Sequence, residues 1–254
     1  MPQLVALQTI LLKEIHRFAR IWPQTLLPPA VTTTLYFLIF GRLIGGRIGP
    51  MGGIPYMDYI APGVILMTVI TNAYGNVVSS FYSTKFQRNV EELLVAPVPD
   101  WIILFGYVSG GVARGLAVGA VVSLIAAMFT HLQPQHWGVV VLVFLLTSLL
   151  FSLAGFVNAL FANSFDDISI VPNFVLTPMV YLGGVFYSID LLPEFGRMFS
   201  QINPILYMVS AFRFGFLGVS DVDLGRSLLV ILEFVLLLTL WALRLMRKGV
   251  GLKS

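Results

Sequence analysis

The strongest constraint on the fold of this chain is a series of six long apolar runs with few charged residues. An α-helix needs roughly 20 residues to cross the hydrocarbon core of a bilayer. The composition agrees, since 57% of the residues are hydrophobic and 11% are charged, whereas soluble domains carry about a quarter charged residues. We therefore expect one all-α integral membrane domain over residues 1–254. Transmembrane helices are predicted at 25–44, 60–81, 102–129, 137–160, 169–189 and 226–246.

The basic residues predict the orientation of these spans. An even number of spans puts both termini on one side, and loops rich in lysine and arginine are usually cytoplasmic. With the termini inside, the cytoplasmic set contains every lysine: Lys13, Arg17, Arg20, Lys85, Arg88, Arg244, Arg247, Lys248 and Lys253. The smaller outer set is Arg42, Arg47, Arg197, Arg213 and Arg226. Both termini are therefore predicted to be cytoplasmic.

Residues 3–22 form an amphipathic segment that ends before Pro23. Its periodicity predicts an interfacial helix along the inner leaflet, with the basic face toward anionic headgroups. The alternative is a helix packed on a protein partner, and Glu14, near the apolar edge, favours some protein contact. The apolar face carries Leu4, Leu7, Leu11, Ile15, Phe18 and Trp22, and the polar face carries Thr9, Lys13, Arg17, Arg20 and Gln24.

Polar residues recur on one face of several predicted spans. Polar groups in hydrocarbon need partners, so these faces should point into the bundle or into a wet cavity. A translocation pathway and ordinary interhelical hydrogen bonds explain them equally well. The pathway candidates are Asn72, Asn76, Asn173, Thr177 and Tyr181. The third span instead carries Gly106, Gly110, Gly111, Gly115 and Gly119, a spacing that predicts close helix packing.

Arg114 lies among the glycines of the third span, and Glu233 is the only acid inside any predicted span. Such residues are functional candidates by default. Three kinds of partner for the Arg114 side chain stay open: an ion pair with Glu233, backbone carbonyl oxygens, or a water-filled pocket.

Two segments between spans also have helical character. Residues 84–96 combine an apolar edge with a charged edge and stop at Pro97 and Pro99, which suits a short lever joined to two spans. The alternative is a solvated loop helix without a partner. Residues 191–202 and 204–218 are apolar helical pieces too short to span, which would lie flat outside the membrane or dip into it.

These segments carry a family resemblance. Arg88, followed by Glu91-Glu92-Leu93-Leu94-Val95-Ala96-Pro97, comes after the second span. A second block comes after the fifth span: Gly184-Val185-Phe186-Tyr187, Leu192-Pro193, Asn203-Pro204, Arg213 and Gly218. Both blocks, in this order and in these topological positions, resemble the permease subunits of ABC type-2 exporters over essentially the whole chain.

The resemblance implies roles for both blocks. Residues 83–97 would be the coupling helix seated in a separate ATPase subunit, and 190–218 would form the outer gate. A transporter of two permeases, here a homodimer, and two ATPases is implied, in the lipid of a bacterial inner membrane. The implied coupling residues are Arg88, Glu91, Glu92, Leu93, Leu94 and Pro97. The implied gate residues are Phe186, Tyr187, Pro193, Asn203, Pro204 and Arg213.

The loop around Asn163, Asp166 and Asp167 resembles a smaller second cytoplasmic contact.

The chain's chemistry fits a permease without a catalytic centre. No phosphate-binding G-x-x-x-x-G-K-[ST] motif occurs, so ATP-Mg would bind the partner and no cofactor is expected here. There is no cysteine, and the three histidines form no metal-ligand cluster. A nucleic-acid partner is not expected.

An ion-coupled secondary transporter and a membrane-embedded enzyme are the alternatives. For the first, Glu233 is the lone acid within a predicted span. For the second, the adjacent acids Asp166-Asp167 are the candidate, although no histidine lies near them in the sequence. An amphipathic drug-like, lipid-linked or polysaccharide substrate is expected.

Overall fold

The computed structural model describes residues 2–95 and 98–252, and it is helical over most of that range. Within those residues, the one β feature is an isolated bridge between Met51 and Ile54. The α-helices are α1 (Pro2–Arg20), α2 (Trp22–Tyr36), α3 (Gly45–Ile48), α4 (Tyr56–Phe86), α5 (Asn89–Val95), α6 (Asp100–Phe129), α7 (Trp137–Phe161), α8 (Asp167–Val171), α9 (Thr177–Leu182), α10 (Glu194–Ile202), α11 (Pro204–Leu217) and α12 (Leu224–Arg247). Wider π-helical turns at Phe37–Ile44 and Pro172–Leu176 join α2 to α3 and α8 to α9, and Ile189–Leu191 is a short 3₁₀ turn.

Five helices in the described chain are long and apolar enough to cross a membrane. Each contains most or all of a predicted span, and the sequence-based fold class of an all-α membrane protein is confirmed at that level. The five are Trp22–Ile48, Tyr56–Phe86, Asp100–Phe129, Trp137–Phe161 and Leu224–Arg247.

The fifth predicted span, 169–189, is shorter than expected. Its helix runs from Asp167 to Leu182 and stops at Gly183 and Gly184. Gly184 has φ 72°, a left-handed conformation that favours glycine. Residues 183–188 therefore form a turn and not a last helical segment.

Helix α4 forms the centre of the bundle. It packs on α6 and α7 and, toward its start, on α11, and most of its residues are buried. By contrast, α12 turns a row of large apolar side chains outward: Leu229, Leu232, Leu236, Leu237, Leu240 and Trp241. Exposed apolar rows on membrane-length helices are the surfaces that lipid or a second membrane chain covers.

The glycines of α6 serve the close packing predicted for them. A Cβ at Gly106 would lie 2.6 Å from Ile10 Cγ2 of α1, and one at Gly110 would collide with Glu14. On another face, a Cβ at Gly115 would lie 3.0 Å from Ser148 Oγ of α7. The prediction of close helix approach is confirmed, and α6 uses it toward three helices.

Helix α1 covers most of the predicted interfacial helix of residues 3–22, whose contact with headgroups stays a prediction. It packs lengthwise on α6, with Ile10 and Glu14 on the successive glycines Gly106 and Gly110. Glu14 is fully buried, and Arg17 reaches α4. The protein contact that Glu14 indicated is therefore the main packing of this helix, and it is made within the same chain.

Of the two connecting segments predicted to be helical, one departs from expectation. The predicted continuous helix over 84–96 is broken, because α4 ends at Phe86 and Arg88 has φ 61°. Positive φ is uncommon outside glycine, and α5 starts anew at Asn89. Helix α11 is buried among α4, α7 and α12, which favours the expectation that this piece dips into the membrane over the expectation that it lies flat.

Candidate functional site

A cavity of about 480 Å³ lies between α2, α4, α6 and the broken helix α8–α9. Its size is within the range of small-molecule sites, roughly 300–1,000 Å³. Four of the five pathway candidates share it, and Asn76 does not. Its lining is Gln24, Thr25, Pro28, Pro29, Thr32, Tyr36, Met67, Thr68, Thr71, Asn72, Arg114, Pro172, Asn173, Leu176, Thr177, Val180 and Tyr181.

The α2 wall was not anticipated from the sequence. Gln24, Pro28, Thr32 and Tyr36 all line the cavity, and they stand four residues apart. That spacing places side chains on one helix face, so the signal was present in a span otherwise read as apolar. Pro28 and Pro29 lie inside the helix and lack the amide hydrogen that would bond the preceding turn.

The opposite wall comes from the π-helical turn and α9. Pro172 carries no amide hydrogen, and the hydroxyl of Thr177 donates to the Pro172 carbonyl oxygen at 2.9 Å. Asn173, Thr177 and Tyr181 face the cavity together, as their spacing predicted. The Tyr181 ring stacks on Phe186 with centroids 5.8 Å apart, which links this wall to one predicted gate residue.

The polar face of α4 is divided between two roles. Asn72 lines the cavity, whereas Asn76 is fully buried one turn further on. Arg17 Nη2 donates to Asn76 Oδ1 at 2.7 Å and to its carbonyl oxygen at 3.0 Å. Asn76 is thus an anchor for α1, because the arriving arginine occupies its oxygen.

A partly buried ion pair secures the same anchor. Arg17 also donates to Glu14 Oε2 at 3.2 Å, and Ser80 Oγ donates to Glu14 Oε1 at 2.7 Å. Ser80 was not singled out from the sequence, although it lies four residues after Asn76 and continues the row of Thr68, Asn72 and Asn76. Both carboxylate oxygens of Glu14 are therefore hydrogen-bonded within the α1–α4 contact.

Arg114 and Glu233 do not form the pair considered above. Arg114 Nη2 donates to Asn72 Oδ1 at 3.3 Å, and its buried Nε has no hydrogen-bond partner among the described residues. Glu233 is exposed on α12. Of the three possible surroundings considered for Arg114, the structure favours the pocket. Arg114 lines the cavity and makes one long hydrogen bond, to the Asn72 amide oxygen.

Arg213 of α11 lies beside the start of α4 in a hydrogen-bond network that involves all three of its guanidinium nitrogens. Its side chain is 1% exposed, and Nη1 donates to Asp221 Oδ2 at 2.6 Å. Nη2 donates to the Gly184 carbonyl oxygen at 2.6 Å, and the guanidinium stacks 4.0 Å above the Tyr59 ring. Asp221 and Tyr59 were not singled out from the sequence, although an acid eight residues after Arg213 was a usable signal.

The other predicted gate residues shape helix ends and a turn. Pro193 precedes α10 and Pro204 begins α11, as their sequence positions indicated. Asn203 caps α11 by accepting from the Ile205 amide at 3.0 Å, and its own amide donates to Met179 at 2.6 Å. Burial raises the pKa of the Tyr187 hydroxyl.

The opposite end of the bundle brings together the two segments that resemble ATPase contacts. Phe86 at the end of α4 meets Phe165 edge-on, with ring centroids 5.1 Å apart. Lys85 Nζ donates to the carbonyl oxygens of Leu160 and Ala162 at 2.9 and 2.6 Å. The pKa of Asp167 is lowered by hydrogen bonds from the Asn163 backbone and from Ser164. The 163–167 loop is therefore pinned beside the start of the 83–97 segment.

Several predicted coupling residues are only partly described. Arg88 and Glu92 are exposed, and Val90, on the predicted apolar edge, is buried against the bundle. The side chains of Glu91, Leu93 and Leu94, and the whole of Pro97, lie outside the described part of the chain.

Comparison with known proteins identifies the family of this chain. The profile of the "ABC-2 type transporter" family matches residues 5–217. The chain belongs to the ABC-2 type transporter family. It is 58% identical over 250 residues to "Inner membrane transport permease YadH" of Escherichia coli K12, covering 98% of both chains. It is 25% identical over 221 residues to "Nodulation protein J" of Rhizobium leguminosarum bv. viciae, covering 84% of this chain and 85% of the relative.

The ABC-2 match runs from α1 through α11. It therefore includes the cavity, the Glu14–Arg17 anchor and Arg213. Asp221, which pairs with Arg213, lies just beyond the matched residues.

Proposed function

We propose that this chain is the membrane subunit of an ATP-driven ABC-2 exporter and forms the translocation pathway. Membership of the ABC-2 family carries the proposal. The sequence has no phosphate-binding loop, so hydrolysis of ATP-Mg belongs to a separate cytoplasmic ATPase. The bacterial inner membrane is the proposed location, in keeping with the name of the permease that is 58% identical.

The ATPase would dock where the 85–95 and 163–167 segments meet. Phe86 and Phe165 are 63% and 51% exposed there, and Val95 is 87% exposed. Apolar side chains at the end of a bundle suit a groove on a partner. Lys85 holds the two segments together, so a pull on α5 would reach α4, α6 and the 163–167 loop as a unit.

A second copy would close the pathway. The cavity is lined by α2 on one side and by the 172–181 helix on the other, and large apolar side chains are exposed on both of these helices. They include Leu27, Val31 and Leu35 on α2 and Phe174, Val175 and Tyr181 on the other flank. Two copies facing each other across these rows would enclose one path for an amphipathic, drug-like, lipid-linked or polysaccharide substrate. Nucleotide state would shift which end is open.

The proposal is tested by purifying the chain from its own membranes and asking whether an ATPase subunit accompanies it. Leu93→Asp, which puts a charge on the predicted coupling edge, should abolish association or transport-coupled hydrolysis while leaving membrane insertion intact. Asn89→Ala, on the polar side of α5, is the matched control and should retain both. A Leu93→Asp variant with full ATPase binding and transport would refute the coupling role.

Orientation is tested with single cysteines, since the chain has none of its own. Asn89→Cys and Lys248→Cys should react with an impermeant maleimide only from the cytoplasmic side. Phe195→Cys, at a position 74% exposed, should react only from outside. Labelling of residue 89 from outside would overturn the topology.

A further inference from the structure

We infer that the cavity is an oxyanion site, in which Arg114 receives the phosphate or carboxylate group of an amphiphile. The inference rests on the proposed function for its link to transport, because it names the chemistry of the cargo. The binding itself is a property of the chain's own residues and needs no ATPase to be observed.

The charge of the cavity is unbalanced. Arg114 is its one charged residue among the described lining, which includes no carboxylate. The nearby acid, Glu14, is already saturated by Arg17 and Ser80. Charged groups within membrane proteins are costly and usually pair or serve a function. A single positive charge therefore remains at the cavity wall.

The guanidinium has unused hydrogen-bonding capacity. It carries five N–H donors, and the structure gives it one contact, the 3.3 Å hydrogen bond to Asn72. Its Nε is buried without a partner among the described residues. Arginine's planar fork matches phosphate and carboxylate oxygens in two-point contacts. An oxyanion is the ligand that satisfies both the charge and the donors.

The remaining walls suit the rest of an amphiphile. The side-chain amides of Gln24 and Asn173 line the cavity and form no hydrogen bond to any described residue, so they are free to donate to further ligand oxygens. Leu176, Val180 and Met67 supply apolar surface beside them. An uncharged drug or a neutral sugar would leave the arginine unpaired.

Binding of matched lysolipids to the purified chain in a non-ionic detergent tests the inference. Lysophosphatidic acid and lysophosphatidylcholine with the same acyl chain differ by the choline that cancels the phosphate charge. The wild-type chain should bind the acid at least about tenfold more tightly, the effect expected of hydrogen bonds to a charged group. Arg114→Gln should remove this preference, whereas Arg20→Gln, an exposed arginine on α1, should keep it.

A second variant guards against a folding artefact. Asn72→Asp retains Arg114 but gives it an internal carboxylate, so the preference should fall while thermal stability is kept or raised. Equal binding of the two lysolipids by the wild-type chain overturns the inference, as does a preference that survives Arg114→Gln. Co-purification of an ATPase is independent of these results and would stand if they fail.

Bilayer composition identifies the source of the oxyanion. The titration is repeated in vesicles of phosphatidylcholine alone and of phosphatidylcholine mixed with phosphatidylglycerol. Weaker binding in the mixture means that an anionic bilayer lipid occupies the site. Unchanged binding assigns it to a transported amphiphile that bulk lipid does not displace. Both results support an oxyanion site.

Discussion

Two arginines in this bundle differ in almost every respect except their charge. Arg213 is buried with an aspartate, two backbone carbonyl oxygens and a tyrosine ring around it. Among the described residues, Arg114 has one amide contact at 3.3 Å and an Nε without a hydrogen-bond partner. Because a buried guanidinium is tolerated only when its donors are satisfied, the first arginine belongs to the architecture. The donors of the second arginine are satisfied only when a ligand is bound.

The largest expected effect is on the Arg213 network. Arg213→Met leaves the carboxylate of Asp221, whose side chain is 9% exposed, without its ion-pair partner. Breaking a buried pair by removing one partner costs about 3–5 kcal/mol. We expect loss of that order in the free energy of unfolding, measured by denaturant titration in detergent. The double variant Arg213→Met/Asp221→Leu should recover part of it, and a single variant as stable as wild type would show that the network is not structural.

The second-largest effect is expected at Gly110, one turn before Arg114 on α6, where α1 packs closely on α6. Gly110→Ala would drive a methyl group into Glu14 and push α1 off α6, and overpacking of this kind costs roughly 1–3 kcal/mol. Gly75→Ala on α4 is the matched control, because nothing lies within 4 Å of the added methyl. It should be neutral or stabilising by up to about 1 kcal/mol. Equal effects of the two alanines would mean that α1 does not depend on this close approach.

A smaller effect separates the two arginines directly. Arg114→Met removes an unpaired charge and one long hydrogen bond, so stability should stay within about 1 kcal/mol of wild type or rise. Transport or substrate-stimulated ATPase activity should nonetheless fall. Destabilisation comparable to that of Arg213→Met would contradict the comparison and make Arg114 a structural residue.

The smallest effect is expected at Arg197. Its ion pair with Asp190 measures 3.2 Å, with the side chains 42% and 77% exposed, and exposed pairs contribute about 0–1 kcal/mol. Arg197→Gln should therefore change the thermal midpoint hardly at all. It also serves as the control for loss of one positive charge beside the larger effect at Arg213.

The candidate site was predictable where it depends on one helix face. Spacing alone placed Asn173, Thr177 and Tyr181 together, and the same rule applied to Gln24, Pro28, Thr32 and Tyr36 would have found the α2 wall. Spacing could not tell that Asn72 faces the cavity while Asn76 faces Arg17. Both amides lie on the same face of α4. They have different surroundings because Arg17 of α1 reaches Asn76, one turn further along the helix.

The sequence by itself determined the membrane class, the apolar helices, the close-packing glycines of α6 and the family. The first three follow from local composition and periodicity, which fix hydrophobic length and the residues that share a helix face, whereas the family follows from the resemblance of the 88–97 and 184–218 motif blocks. Tertiary structure alone decided that Glu14 is buried by α1 on α6, that Arg213 pairs with Asp221, and that Arg114 meets Asn72 and not Glu233. The reason is physical: periodicity sets the direction of a side chain, whereas its partner depends on which helix occupies the neighbouring space.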